Sequence, residues 1–137
     1  MSNIEIHKNQ HSFASKRPFT AFTRAGDYVW LSGQTSHDPV SGKLVGEGDF
    51  LKQARAAFQN IKGLLDVLGC GFDAVTKLTT YFAVPLSEEI AHQYWEVRHE
   101  FFGDAPPAST GIQVAGLITP DVLIEIEAIV YAPRKHS

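Results

Sequence analysis

The chain has 137 residues, 44% of them hydrophobic, which suits one core and a single domain over residues 1–137. A formal charge of −3, with Lys and Arg scattered along the chain, argues against a surface built for nucleic acid or anionic lipid. Cys70 is the only cysteine, which excludes an intrachain disulfide and a thiolate metal cluster, and the opening MSNIEIHKNQHSFASKRPF has no signal-like apolar run, so the expectation is a soluble cytoplasmic protein that does not engage a membrane.

The first ordered segment is expected at residues 19–23, with Ala25-Gly26-Asp27 turning it into the aromatic, β-branched run 28–34 as a hairpin. Residues 37–42 are turn-rich, and a short strand at about 43–46 is expected to follow. Asp49 caps a helix from about residue 50, in which Phe50, Ala54, Ala57, Phe58, Ile61, Leu64, Leu65 and Leu68 share one face until Gly69-Cys70-Gly71 stops it. A strand is predicted at 75–84. Ser87, followed by Glu88 and Glu89 in the first turn, starts a second helix that reaches about Phe102. Beyond the Pro106-Pro107 break, strands at 110–117 and 122–131 are joined through Thr119-Pro120-Asp121. This order, β-β-(β)-α-β-α-β-β, defines an α+β class with both helices packed on one face of one sheet. The other face of a mostly apolar sheet then has no cover, which predicts a homo-oligomer.

On the second helix Ile90, Tyr94, Val97 and Phe101 form the core stripe, while Trp95 and Phe102 sit on its flank. Those flanking aromatics fit a subunit contact or a pocket wall, and equally the wide edge of the core stripe. His92, Glu96 and His99 share a face with metal-ligand spacing, but it is the face opposite the core, and a solvated polar surface is the better reading. There is no G-x-S-x-G elbow, no G-x-G-x-x-G and no P-loop; no cofactor and no metal are expected.

The last strand carries the chemistry. Ile124, Ile126, Ala128 and Val130 lie on one face, and Leu123, Glu125, Glu127, Ile129 and Tyr131 on the other. A carboxylate withdrawn from water is costly unless it is paired, hydrogen-bonded or protonated. Either a half-exposed face or a neighbouring cation answers the two charges, or one glutamate sits in a pocket as a tuned acid or base. In Ser32-Gly33-Gln34, a glycine directly after an aromatic strand permits a bulge or the close approach of another group.

AGDYVWLSGQTSHDPVSGKLV, QARAAFQNIKGLLDVLGCGFDAVTKLTTYF and PPASTGIQVAGLITPDVLIEIEAIVYA, in that order over residues 18–132, resemble the RidA family, also called YjgF-like proteins. The resemblance implies a chorismate-mutase-like α+β fold, a homotrimer with small-molecule pockets at its subunit interfaces, and hydrolysis of reactive enamines and imines to ketoacids and ammonia. It assigns the water-activating role to Glu125, leaves Glu127 structural, and places Phe19, Ser32, Gly33, Trp95, Ser109, Thr110 and Gly111 around the substrate. Four of these positions depart from the family pattern. Ser109 stands where deaminating members carry a carboxylate-clamping arginine, Phe19 replaces a frequent tyrosine, Trp95 a small polar residue and Gly111 a cysteine. The lost arginine predicts an altered substrate preference, with Arg17 and Arg24 as sequence-near candidates to replace it, each also readable as an ordinary surface arginine.

Three functions stay open from sequence: a RidA-like hydrolase or deaminase of a small imine, enamine or related unsaturated metabolite; a non-catalytic trimer that binds a small molecule as sensor or scaffold; and an endoribonuclease or translation inhibitor. The acidic balance makes the last the least attractive.

Overall fold

The computed structural model describes residues 3–10 and 16–134. Six strands form one mixed sheet in the order β1-β2-β3-β6-β4-β5. They are β1 (Ile4–His7), β2 (Phe22–Ala25), β3 (Tyr28–Leu31), β4 (Val75–Phe82), β5 (Ala108–Gln113) and β6 (Ile124–Tyr131), with α1 (Phe50–Leu68) before β4 and α2 (Glu88–Phe102) between β4 and β5. Neighbouring strands are antiparallel except β4 and β5, which α2 connects in parallel.

The helices begin and end where their caps dictate. The Asp49 side chain accepts from the Lys52 N–H, the Ser87 hydroxyl accepts from the Ile90 N–H, and Gly69 closes α1 in the left-handed conformation at φ 72°. Ala54, Ala57, Phe58, Ile61 and Leu65 of α1 and Tyr94, Val97 and Phe102 of α2 are buried against Val29, Leu31, Leu78, Phe82 and the four alternate residues of β6 from Ile124 to Val130. One polar pair lies inside this core, with the Thr80 and Tyr94 hydroxyls 2.5 Å apart. Gln53 is fully buried on α1 and satisfied at both ends: its amide nitrogen donates to the Gly46 and Asp121 carbonyls (3.1 and 2.9 Å), and its oxygen accepts from the Leu123 N–H (2.9 Å). That side chain ties α1 to the segment leading into β6.

Several expectations are corrected. The first ordered segment is β1, which pairs with β2; it is a four-residue edge strand with Ile4 and Ile6 both exposed, too short to show a strand pattern. The hairpin forms, but its first strand lies at Phe22–Ala25 rather than 19–23. No strand forms at 43–46. The Asp38 carboxylate accepts from the Val40 and Ser41 N–H groups, Gly42 and Gly46 adopt positive φ, and only an isolated bridge, His37 to Leu44, remains. β5 begins two residues before the expected 110 and ends at Gln113, because its partner β4 ends at Phe82.

Phe102 proves to be core, edge-on to Phe58 and Phe72, whereas Trp95 is 46% exposed. The uncovered face of the sheet is mixed rather than mostly apolar. It carries Tyr28, Trp30, Tyr131 and Ile112 together with Lys77, Tyr81, Glu125 and Glu127. Among the described residues no helix is long and apolar enough to cross a membrane.

Candidate active site

β3 and β6 fall out of step where the site begins. Trp30 pairs with Ile129, and the next pairing is Gln34 with Ile126, which exchange backbone hydrogen bonds at 2.7 and 2.9 Å. Leu31, Ser32 and Gly33 therefore face only Glu127 and Ala128, and the extra residue makes a bulge. Ser32 is used up holding it in place: its N–H donates to the Ala21 carbonyl (2.9 Å) and its hydroxyl to the Thr20 carbonyl (2.5 Å). Gly33 is then pressed against Glu125, so closely that a β-carbon on it would stand 2.8 Å from the Glu125 carboxyl carbon. Glycine is required here by space rather than by φ.

The two glutamates have different surroundings. Glu127 accepts a hydrogen bond from the Tyr81 hydroxyl at 2.6 Å, which raises the pKa of that phenol by favouring its protonated form. Glu125 is half-buried, and burial first and the Glu127 charge second push its carboxyl above the ordinary glutamate range. The raised pKa suits a group that both takes up and gives back a proton.

Glu125 opens into a cleft of about 420 Å³. Phe19, Gly33, Thr35, His37 and Asn60 are among its walls, and Arg17 also lines it. Asn60 of α1 donates to the Thr35 and His37 carbonyls (2.9 and 2.8 Å), which fixes the loop across the cleft from β6. The His37 ring Nδ1 lies 2.7 Å from the Thr35 hydroxyl. Burial and the Arg17 charge lower the His37 pKa, against a smaller opposing effect of Asp121, which favours the neutral imidazole. A more open hollow of about 500 Å³ on α1 is lined by Val45, Asp49, Lys52 and Arg55. Arg55 is tied there to Glu100 at 2.8 Å, and no histidine lines that hollow.

Of the residues expected at the site, the fold brings Phe19, Gly33 and Glu125 into one cleft, with Ser32 beside them but its hydroxyl turned onto Thr20. Trp95, Ser109, Thr110 and Gly111 do not line it within one chain, because β4 separates β5 from β6. Ser109 accepts from Arg98 Nη1 of α2 at 2.9 Å, and Thr110, on the opposite face of β5, accepts from Lys77 Nζ at 2.6 Å. Gly111 has a packing reason of its own: a β-carbon there would lie 3.0 Å from the Phe82 ring. Trp95 stands edge-on to His92. Arg17 reaches the cleft; Arg24 does not, since its guanidinium donates to the Ala132 carbonyl at 2.6 Å and faces Glu5.

Sequence reasoning missed His37 and Asn60 as wall residues. Asn60 was visible within Gln53-x-Arg55-x-Ala57-x-x-Asn60-Ile61-Lys62, where the fold now separates three duties: Gln53 holds β6, Arg55 holds α2 through Glu100, and Asn60 holds the loop.

These features define a small α+β protein with an acid-bearing cleft beside a bulged strand. The sequence profile described as Endoribonuclease L-PSP matches residues 9–132, and the chain belongs to that family, the RidA or YjgF-like proteins. It is similar to a RutC family protein of Pyrococcus horikoshii, 37% identical over 114 residues that cover 83% of this chain and 86% of the relative. It is also similar to the 2-iminobutanoate/2-iminopropanoate deaminase of Mus musculus, 30% identical over 112 residues covering 82% and 79% of the two chains. A solved structure from Thermotoga maritima superposes with a TM-score of 0.76 at 28% identity, covering 100% of this chain and 99% of that one.

Proposed function

We propose that this protein hydrolyses small imines or enamines, releasing ammonia and a carbonyl product, with Glu125 as the acid/base. The observation that carries the reading is the Glu125 carboxyl held against Gly33, half out of water, in a cleft whose opposite wall is fixed by Asn60. Relatives named as deaminases of 2-iminobutanoate and 2-iminopropanoate support it.

The chemistry needs little beyond these groups. Water adds to the carbon of a protonated imine, and ionised Glu125 takes a proton from that water as the new C–O bond forms. Glu125 then returns the proton to nitrogen, the C–N bond breaks as the carbonyl forms, and the hydroxyl proton passes to the departing ammonia, which leaves as ammonium. Water and the protonated imine are consumed, ketone or ketoacid and ammonium are produced, and the carboxylate is regenerated. Neutral His37 can hold a polar substrate group without adding a charge that would lower the Glu125 pKa.

The same proposal takes the working unit to be a homotrimer with its pockets between subunits. The uncovered face supports this: Tyr28, Trp30 and Tyr131 are each 43–45% exposed and adjoin one another, an apolar patch suited to association. Trp95, Ser109, Thr110 and Gly111 then reach the cleft of a neighbouring copy. Serine at position 109 shifts the preference away from that of the arginine-bearing relatives.

The test is ammonia release from 2-iminobutanoate and 2-iminopropanoate generated in place by an amino-acid oxidase, alongside sedimentation equilibrium. Acceleration over buffer by a species of three chain masses supports the reading. A monomer without activity on these or on bulkier imines refutes it.

A further inference from the structure

The substrates in the names of the deaminase relatives carry a carboxylate, and a carboxylate taken into a partly dry cleft needs a cation to meet it. Most arginines here are already committed. Arg24 and Arg134 face Glu5, and Arg55 is bound to Glu100. Arg98 is different. Its guanidinium lies 5.9 Å from the centre of the Tyr94 ring and donates through Nη1 to the Ser109 hydroxyl at 2.9 Å, and no carboxylate forms an ion pair with it among the described residues. It is half-buried, held from two sides by uncharged groups.

Two features make this a built site rather than a surface arginine. The ring and the hydroxyl fix the plane of the guanidinium, so the fork is oriented before any ligand arrives. Ser109, having accepted the arginine N–H, keeps its own O–H to donate, which gives an anion a second donor beside the first. The pair stands on the β5 edge of the sheet, next to exposed Trp95 one turn earlier on α2, where among the described residues no further strand follows.

We infer that Arg98, positioned by Ser109 and Tyr94, is the carboxylate anchor, presented by one copy of the chain to the Glu125 cleft of the next. The substrate class is therefore a small 2-imino monocarboxylate with its charge on Arg98 and its C=N carbon towards Glu125. The inference rests on the hydrolase reading and adds the residue that selects the substrate. The guanidinium comes from a helix, so the anchor approaches from α2, beside the Tyr94 ring.

The probe is 2-oxobutanoate, the ketoacid left after 2-iminobutanoate is hydrolysed, with butanone as its uncharged counterpart, each titrated into the native assembly by ligand-observed NMR. Native protein is expected to bind 2-oxobutanoate at least tenfold more tightly than butanone. Arg98→Met, which keeps an aliphatic chain over Tyr94, is expected to erase that preference while leaving butanone binding as it was. Arg98→Lys keeps the charge without the planar fork and should lose several-fold, which serves if the methionine variant does not assemble. Native-like binding of 2-oxobutanoate by both variants overturns the inference, as does a native protein with no preference for the anion. So does Arg17→Met carrying the loss that Arg98→Met does not. The two proposals fail separately: if the anion binds through Arg98 but no imine releases ammonia, the anchor stands and the reaction falls. If ammonia is released with kcat/KM unaffected by Arg98→Met, the reaction stands and the anchor falls.

Discussion

Gly33 lies under the side chain of Glu125 at a distance that admits no β-carbon, since one placed there would be 2.8 Å from the carboxyl carbon and 3.1 Å from Oε2. The bulge that brings this glycine forward is pinned on its other side by Ser32. The position of the acid is thus set by backbone, which cannot rotate away as a side chain could.

Gly33→Ala is therefore expected to displace the Glu125 carboxyl rather than unfold the chain. Overpacking at such a contact costs about 1–3 kcal/mol. Imine hydrolysis should fall by more than tenfold while the urea midpoint drops only modestly, and parallel assays of both quantities check this.

Burial and Glu127 raise the Glu125 pKa in the folded chain. Between its unfolded and folded values the folded protein holds a proton that the unfolded chain has released, so this group's contribution to stability is full at low pH and is lost as pH rises through the folded value. Glu125→Gln should remove that loss. The variant is predicted to gain stability relative to native protein at neutral pH and to match it most closely in acid, as read from denaturation curves at a series of pH values.

Tyr81→Phe deletes the 2.6 Å bond to Glu127 and nothing else. The expected cost is about 1 kcal/mol, at the lower end for a bond to a charged group because the pair is partly in water. The site should stay assembled. A denaturation midpoint that shifts with kcat nearly intact is the predicted result.

Gln53→Leu has a larger expected effect for its size. It strands the Gly46 and Asp121 carbonyls and the Leu123 N–H, all three of which Gln53 satisfies from a fully buried position. The predicted loss is about 3 kcal/mol or more, and because Leu123 leads into β6 the cleft should loosen first. Hydrogen exchange at residues 121–126 is the direct reading.

The sequence made some of this legible and hid the rest for identifiable reasons. Alternation in β6 exposed both glutamates, and Asp49, Ser87 and Gly69 marked the helix ends, because these signals depend on neighbours within a few residues. The bulge at Gly33 was readable as a permission, but its purpose was not, since Glu125 lies 92 positions away. β1 was too short to announce itself. Nothing around Gln53 in the sequence marks it out, and only the fold shows its three partners converging on it. The placement of Trp95, Ser109, Thr110 and Gly111 on a separate edge from Glu125 follows from strand order, which pairwise patterns do not encode.

The most direct test of the account compares native protein, Glu125→Gln and Glu127→Gln in ammonia release from 2-iminobutanoate across a pH series. The account predicts that Glu125→Gln loses at least a hundredfold, whereas Glu127→Gln stays active with its ascending limb moved to lower pH, because the charge that raised the Glu125 pKa has gone. Activity that survives Glu125→Gln, or a profile that Glu127→Gln leaves in place, would contradict it.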